Sequence, residues 1–412
     1  MSVVARAGFR EPFGQRNFRF QWGADLLVSW AFEMENLILG WYVLTATGSV
    51  LWLTAFAALG FTGALISPLF GVAGDRVGHR MVLAAMRASY VVISAILALL
   101  ALLDAMTPVV VFALATLSGL VRPSDLGMRN ALVASTMPPA LLASAISIGR
   151  VSMDSARVIG ALTGAGLGAV LGVGPTYAVV VALYLVGVLL IRAVREPPRA
   201  GPVMQPASLA STVAELGDGM RYARATPGLL ALLALACLTN FAAYPLSGGL
   251  LPHVARDVYG IDRTGLGYLS ASFASGALVG SLLLTSLGMG ARPGRLMFVA
   301  GSIWCLLLLV FAQVRAPLPG MVLLLLAGCA QSFCMVPISV LLLRRTATAF
   351  RGRVMGLRML AIYGLPVGLL LAGPAIAALG FAATATIYAG FALVSTLAIG
   401  WHWRAALWRA EA

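Results

Sequence analysis

A chain of 412 residues that is 60% hydrophobic and only 10% charged cannot clothe a water-exposed surface, for which soluble domains use roughly 25% charged residues. Its mean hydropathy of +0.96 places it in lipid. All 28 basic residues are arginine and the formal net charge is +14; without lysine a P-loop is excluded, and the excess fits arginine-rich cytoplasmic loops better than nucleic-acid binding.

The N-terminus carries Arg6, Arg10, Glu11, Arg16 and Arg19 before any apolar run, so no cleavable signal peptide is expected. A helix needs about 20 apolar residues to cross the hydrocarbon core. Runs of that kind predict spans over 20–45, 50–72, 81–103, 108–131, 143–171 and 174–192. A second set covers 228–251, 265–288, 295–314, 318–343, 354–379 and 381–402. With both termini in the cytoplasm, the arginines outside cytoplasmic loops and helix ends are Arg256, Arg263 and Arg315, with Arg150 and Arg157 inside a span. That alternation supports twelve spans and a multi-pass protein of a bacterial inner membrane.

Residues 193–227 break the apolar pattern with Pro197, Pro198, Pro202 and Pro206, then Glu215, Asp218, Arg221 and Arg224 in a short amphipathic helix on the membrane surface. The expected organisation is therefore an N-terminal six-helix bundle (1–192), a cytoplasmic linker (193–227) and a C-terminal six-helix bundle (228–412). This is an all-α membrane fold of two pseudo-symmetric bundles, with a site between them near mid-membrane. The basic turn Gly71-Val-Ala-Gly-Asp-Arg-Val-Gly-His-Arg80 has a weak echo in Leu287–Arg295 of the second half.

On the first helix, steps of about 100° put Asp25, Ser29, Glu33 and Asn36 on one face, while Glu35 points away from it. Charges inside a span cost roughly 2.5–3.5 kcal/mol on insertion scales, so each needs a partner or a task. Glu33, Asp25 and Asp154 are the carboxylates expected to load and release a proton, or else to be held by arginines of neighbouring helices. Arg150, Asp154 and Arg157 share a face of the fifth helix, continued by Ala161, Gly164 and Gly168. They form either a satisfied ladder or a set in which Arg150 or Arg157 exchanges a carboxylate for an anionic substrate. Asn36, Arg150, Arg157, Asn240, Tyr244, Gln331 and Tyr363 are the expected pocket residues. Arg122, Asp125 and Arg129 on the fourth helix are expected to join Asp75 in a cytoplasmic gate.

The loop pattern Gly71, Asp75, Arg76, Gly78, His79, Arg80 resembles the signature of the major facilitator superfamily of secondary transporters, with His79 where that family carries a basic residue. Asn17-Phe-Arg19, Thr45-x-x-Gly-Ser49, Arg157-Val-Ile-Gly160, Thr226-Pro227 and Arg351-Gly-Arg-Val-Met-Gly356 are similar to the subgroup containing the enterobactin exporter and macrolide efflux proteins. Such exporters carry a proline after the glycine of the fifth helix, and here Ala161 follows Gly160. The resemblance implies alternating access with Gly71, Asp75, Arg76, Gly78 and Arg80 as the cytoplasmic gate motif. It also implies proton-coupled antiport of a small organic molecule, a siderophore first and a drug or macrolide second.

Cys237, Cys305, Cys329 and Cys334 sit in apolar runs, and His79, His253 and His402 lack ligand spacing, so no metal and no cofactor are expected. An enzyme would need a nucleophile–base pair or a glycine-flanked serine elbow. A sensor would need a soluble domain, and nothing outside the spans exceeds the linker. The expected partners are a small-molecule substrate, protons and the lipid bilayer, with no nucleic acid, for a chain acting as a monomer.

Overall fold

The computed structural model describes residues 10–197, 209–288, 292–347 and 350–408. Arg6, Pro198, Pro202 and Pro206, and part of the second-half echo (289–291), lie outside the described residues. Among them the protein is all-helical, and nine helices are long and apolar enough to cross a membrane. Three further segments have the length of a span without meeting that test: Arg16–Thr47 (α1), Pro139–Leu171 (α6) and the interrupted stretch from Val50 to Val77. Their deficit is informative for α1 and α6, which carry Asp25, Glu33, Glu35 and Asp154.

The chain divides into two compact units, residues 1–39 with 59–206, and residues 40–58 with 207–412. In the first unit, His79–Leu102 (α4) packs on Pro108–Thr136 (α5) and Val173–Arg192 (α7). The core between them is Ala24, Val82, Leu83, Met86, Met128, Leu132, Ile191 and Val194. The second expected span is not one helix. It runs as Val50–Leu59 (α2), a 3₁₀ stretch Thr62–Ile66, and Ser67–Val77 (α3). Apolar content alone predicted continuity; the break coincides with a backbone-to-backbone approach. A Cβ on Gly63 would collide with the backbone of Leu120, and one on Gly119 with the carbonyl of Leu59. Gly at both positions lets the chains touch there.

In the second unit, Leu209–Ala225 (α8) is the amphipathic helix expected in the linker. It lies against Arg351–Ala361 (α14), where Gly219 abuts Arg353 and Asp218 faces Arg353 Nη1 at 4.0 Å. The seventh span begins as Pro227–Leu238 (α9) and then winds wider, with π-helical turns at Thr239–Ala243, Pro245–Gly249 and Val254–Val258 around Leu251–His253 (α10). The expected end at residue 251 is thus too early. Pro245 and Pro252 cannot donate to the regular ladder, and the helix continues on longer bonds, such as Leu250 N–H to Pro245 O at 3.0 Å. Arg256 ties this end to the first helix by donating to Leu44 O at 2.5 Å.

The remaining helices are Arg263–Leu287 (α11), Pro293–Phe311 (α12), Pro317–Arg345 (α13), Gly364–Leu379 (α15), Phe381–His402 (α16) and Arg404–Leu407 (α17). Helices α11 and α13 interlock through glycine: a Cβ on Gly276 would strike Leu325 O, one on Gly328 would strike Phe273 O, and one on Gly280 would lie 2.7 Å from Cys329 O. Lipid tails supply no hydrophobic force between helices, so close van der Waals approach of this kind holds them together.

Candidate functional site

The intramembrane charges of the first unit fall into three clusters, all built on α1. The first joins α1 to α6. Gly160 makes it possible, because a Cβ there would lie 2.6 Å from Glu33 Cβ and 3.0 Å from Trp30 O. Close approach brings Glu33 Oε1 within 3.4 Å of Arg157 Nε. One turn away, Asp154 Oδ1 faces Arg157 Nη1 at 3.5 Å, and Asp154 Oδ2 faces Arg150 Nε at 3.3 Å. The i, i+3 and i, i+4 spacings place all three on one face of α6. Trp30 and Trp22 fasten the helix pair by donating to Thr163 Oγ1 at 2.8 Å and Ser152 Oγ at 2.7 Å. The side chain of Asp154 is 2% exposed, whereas those of Glu33, Arg157 and Arg150 are 26%, 43% and 51% exposed. This ladder is charge-balanced and open along one edge.

The second cluster is more enclosed, with Asp25 at 18% its most exposed side chain. Arg87 of α4, fully buried, binds Asp25 directly and lies 3.9 Å from Asp125 Oδ2. Arg129 binds Asp125, stands 3.7 Å from Asp25 Oδ1, and donates to Ser29 Oγ at 2.7 Å. Gln21 donates to Arg129 O at 2.9 Å. Two aspartates and two arginines cancel one another, which is how charge is tolerated at this depth.

In the third cluster Glu35, 3% exposed, is bound by Arg122 and accepts from Tyr184 O–H at 2.9 Å. Arg122 also donates to Ser118 Oγ at 2.7 Å and lies 3.9 Å from the Phe32 ring centroid. Arg122, Asp125 and Arg129, expected in a cytoplasmic gate with Asp75, face α1 and α4 through the contacts just described. Arg122 meets Glu35, Arg129 meets Asp25 and Asp125, and Asp125 also lies near Arg87, because α5 presents them to α1 and α4. Arg87, Glu35 and Tyr184 were absent from the expected site. For Arg87 the available signal was a lone arginine inside an apolar run.

The basic turn forms its own assembly. Gly78, at φ +104°, joins α3 to α4 in a conformation that favours glycine. Past the end of α7, Glu196 caps the start of α4, accepting from His79 N–H at 3.2 Å and Arg80 N–H at 3.0 Å, with His79 Nδ1 3.1 Å away. His79 Nε2 lies 3.6 Å from Asp75 Oδ1, whose side chain is 58% exposed. Arg80 donates to Val194 O at 3.2 Å, and Asn17 exchanges two hydrogen bonds with the backbone of Arg195 at 2.8 and 3.0 Å. The turn, including Arg76, Gly78, Arg80 and Glu196, lines a cleft of about 310 Å³; Gly71 sits in α3 one turn before Asp75. Glu196 was not expected from the sequence, although an acid directly after a helix and near a basic turn is a legible signal.

Burial opposes ionisation of Glu196, but the amides of Arg80 and His79 and the imidazole outweigh it and hold the carboxyl below the usual range. A depressed folded pKa stabilises above the unfolded value near 4.5 and loses that contribution as pH falls through the folded value. Glu196→Gln should therefore lower stability at neutral pH by about 1–2 kcal/mol, discounted for its open side. Thermal unfolding of the variant should show a flatter dependence on acidification between pH 6 and pH 3, read as roughly that loss over the window set by the depressed carboxyl.

In the second unit, Gln331 Nε2 donates to Tyr244 O–H at 2.5 Å, and the Tyr244 ring stands edge-on to Trp304 at 5.2 Å. Those two expected pocket residues are brought together. Asn240 donates within its own helix to Ala236 O at 2.8 Å, Tyr363 lies at the junction of α14 and α15, and Asn36 is exposed on α1.

The family model described as Major Facilitator Superfamily matches residues 25–370. No curated protein sequence matches the chain. Among solved structures, the human organic anion transporter TETRAN aligns with a TM-score of 0.68 at 20% identity, covering 93% of this chain and 99% of that one. The peptide transporter PepTSo aligns at 0.74 and 13%, covering 95% and 98%. The fucose:proton symporter of E. coli aligns at 0.61 and 15%, covering 93% and 98%. At these identities the likeness is one of fold. The match over residues 25–370 carries the family, and the chain belongs to the Major Facilitator Superfamily, a multi-pass membrane transporter and not an enzyme.

Proposed function

We propose that the protein exports a small organic molecule by alternating access, exchanging it for protons. The observation that carries this reading is the ladder of Glu33, Arg157, Asp154 and Arg150, in which the Glu33 side chain, 26% exposed, is the most open of the acids on these helices, ahead of Asp25 at 18%. A substrate whose hydroxyl groups donate to Glu33, and whose oxygens accept from Arg150 and Arg157, requires Glu33 ionised. Proton and substrate then exclude one another at one carboxylate, which is the condition for antiport. An anion bound to the arginines alone would instead favour protonated Glu33 and travel with the proton. A hydroxyl-rich siderophore satisfies the first case and is the proposed substrate class, in keeping with the subgroup the sequence resembles.

In this reading the chain, organised as 1–192, the linker 193–227 and 228–412, works in a bacterial inner membrane with both termini cytoplasmic, and one copy suffices. Tyr244 and Gln331 are proposed substrate contacts within the second half, and Gly71, Asp75, Arg76, Gly78 and Arg80 are the proposed cytoplasmic gate motif. Deleting the gene should strand siderophore inside cells grown in iron-poor medium. Normal siderophore release with raised macrolide sensitivity would replace the siderophore with an amine-bearing drug, whose cation competes for Glu33 in the same way.

A further inference from the structure

Away from the charged clusters, the start of α12 meets the end of α16 in an open apolar groove. Gly400 permits the meeting, since a Cβ there would fall within the Phe298 ring. The groove, about 450 Å³, is lined by Phe298, Leu397, Ala398, Trp401 and Trp408. Leu397 and Trp401 are 47% and 71% exposed. Such a surface suits a length of methylene chain, and tryptophan is at home where hydrocarbon gives way to headgroups.

The rim of the groove is basic. The Arg295 guanidinium lies 5.3 Å from the Trp408 ring centroid, and that of Arg404 lies 4.5 Å from the Trp401 centroid. Both arginines are exposed, and among the described residues neither has a carboxylate partner. Stacking on an indole face fixes a guanidinium while leaving its N–H edge to reach a phosphate. A zwitterionic lipid would bring its own cation to this rim, and an anionic one would not. The arginine distribution of the sequence places these helix ends on the cytoplasmic side, the leaflet whose anionic lipids attract basic residues.

We propose that this groove binds an anionic phospholipid, with one acyl chain against Phe298, Trp401 and Trp408 and the phosphate held by Arg295 and Arg404. The test uses the full-length protein in phosphatidylcholine nanodiscs doped with phosphatidylglycerol brominated on its acyl chains, which quenches nearby tryptophan. Half-quenching should need about 25-fold less brominated phosphatidylglycerol than brominated phosphatidylcholine, roughly fivefold per arginine. Trp401→Phe with Trp408→Phe should remove that component. Arg295→Gln with Arg404→Gln should bring the two lipids to the same mole fraction, whereas Arg221→Gln with Arg224→Gln on α8 should leave the preference intact. Equal quenching by both lipids, a preference that survives loss of Arg295 and Arg404, or an equal loss in the α8 control would overturn the proposal.

Discussion

Glu33→Gln should reduce pH-gradient-driven transport in proteoliposomes to the level of empty vesicles, while the purified variant keeps its thermal stability. Glutamine preserves the volume and an oxygen for Arg157, so the ladder and the Gly160 contact persist. What it removes is the ability to bind and release a proton. Because the neutral amide stands in for the protonated carboxyl, substrate exchange at equal pH should fall as well, and the unchanged thermal stability separates this loss from lost folding. Full gradient-driven transport by this variant would take Glu33 out of the mechanism. The geometry ranks Glu33 ahead of the other carboxylates. Asp154 lies between two guanidiniums with its side chain 2% exposed, and Asp25 is flanked by Arg87 and Arg129. Both oxygens of Asp154 face an arginine, and Asp25 has two arginines at its Oδ1, whereas Glu33 meets one and is the more exposed.

The largest loss of stability should follow Arg87→Ala. Its guanidinium is wholly buried and, with Arg129, is one of two bridges between Asp25 and Asp125. Truncation leaves two carboxylates facing one arginine, and breaking a buried pair in this way costs about 3–5 kcal/mol. The expected readout is a marked fall in unfolding temperature in detergent, with poor recovery from membranes. Arg87→Met combined with Asp25→Asn should regain much of it, because the cluster again carries one negative and one positive charge. A single Arg87→Ala variant as stable as the parent would show that the quartet does not hold α1, α4 and α5 together.

Much of the fold was legible because its signals are additive along the chain. Some 20 apolar side chains in succession suffice to mark a span, whatever lies beside them. Breaks inside spans were less legible. The interruption between α2 and α3 depends on where Gly63 and Gly119 meet the opposite backbone, and the wide turns after Leu238 on how the helix carries Pro245 and Pro252 onward. The site divides the same way. A helical wheel grouped Asp25, Ser29 and Glu33 on one face of α1, yet Asp25 and Ser29 turn to α4 and α5 while Glu33 turns to α6. One narrow face can serve two neighbours, because adjacent helices share the groove it lines.

The sequence by itself determined that the protein lives in lipid, that it crosses it many times as helices, and which superfamily motif marks the turn after the second apolar run. These follow from composition, from transfer energies summed over single helices, and from residues adjacent in the chain. Only the tertiary structure decided which arginine answers which acid. That choice rests on helix–helix distances set by small residues such as Gly160, and those distances leave Glu33 open beside Arg157 while closing Asp25 and Glu35 among their partners.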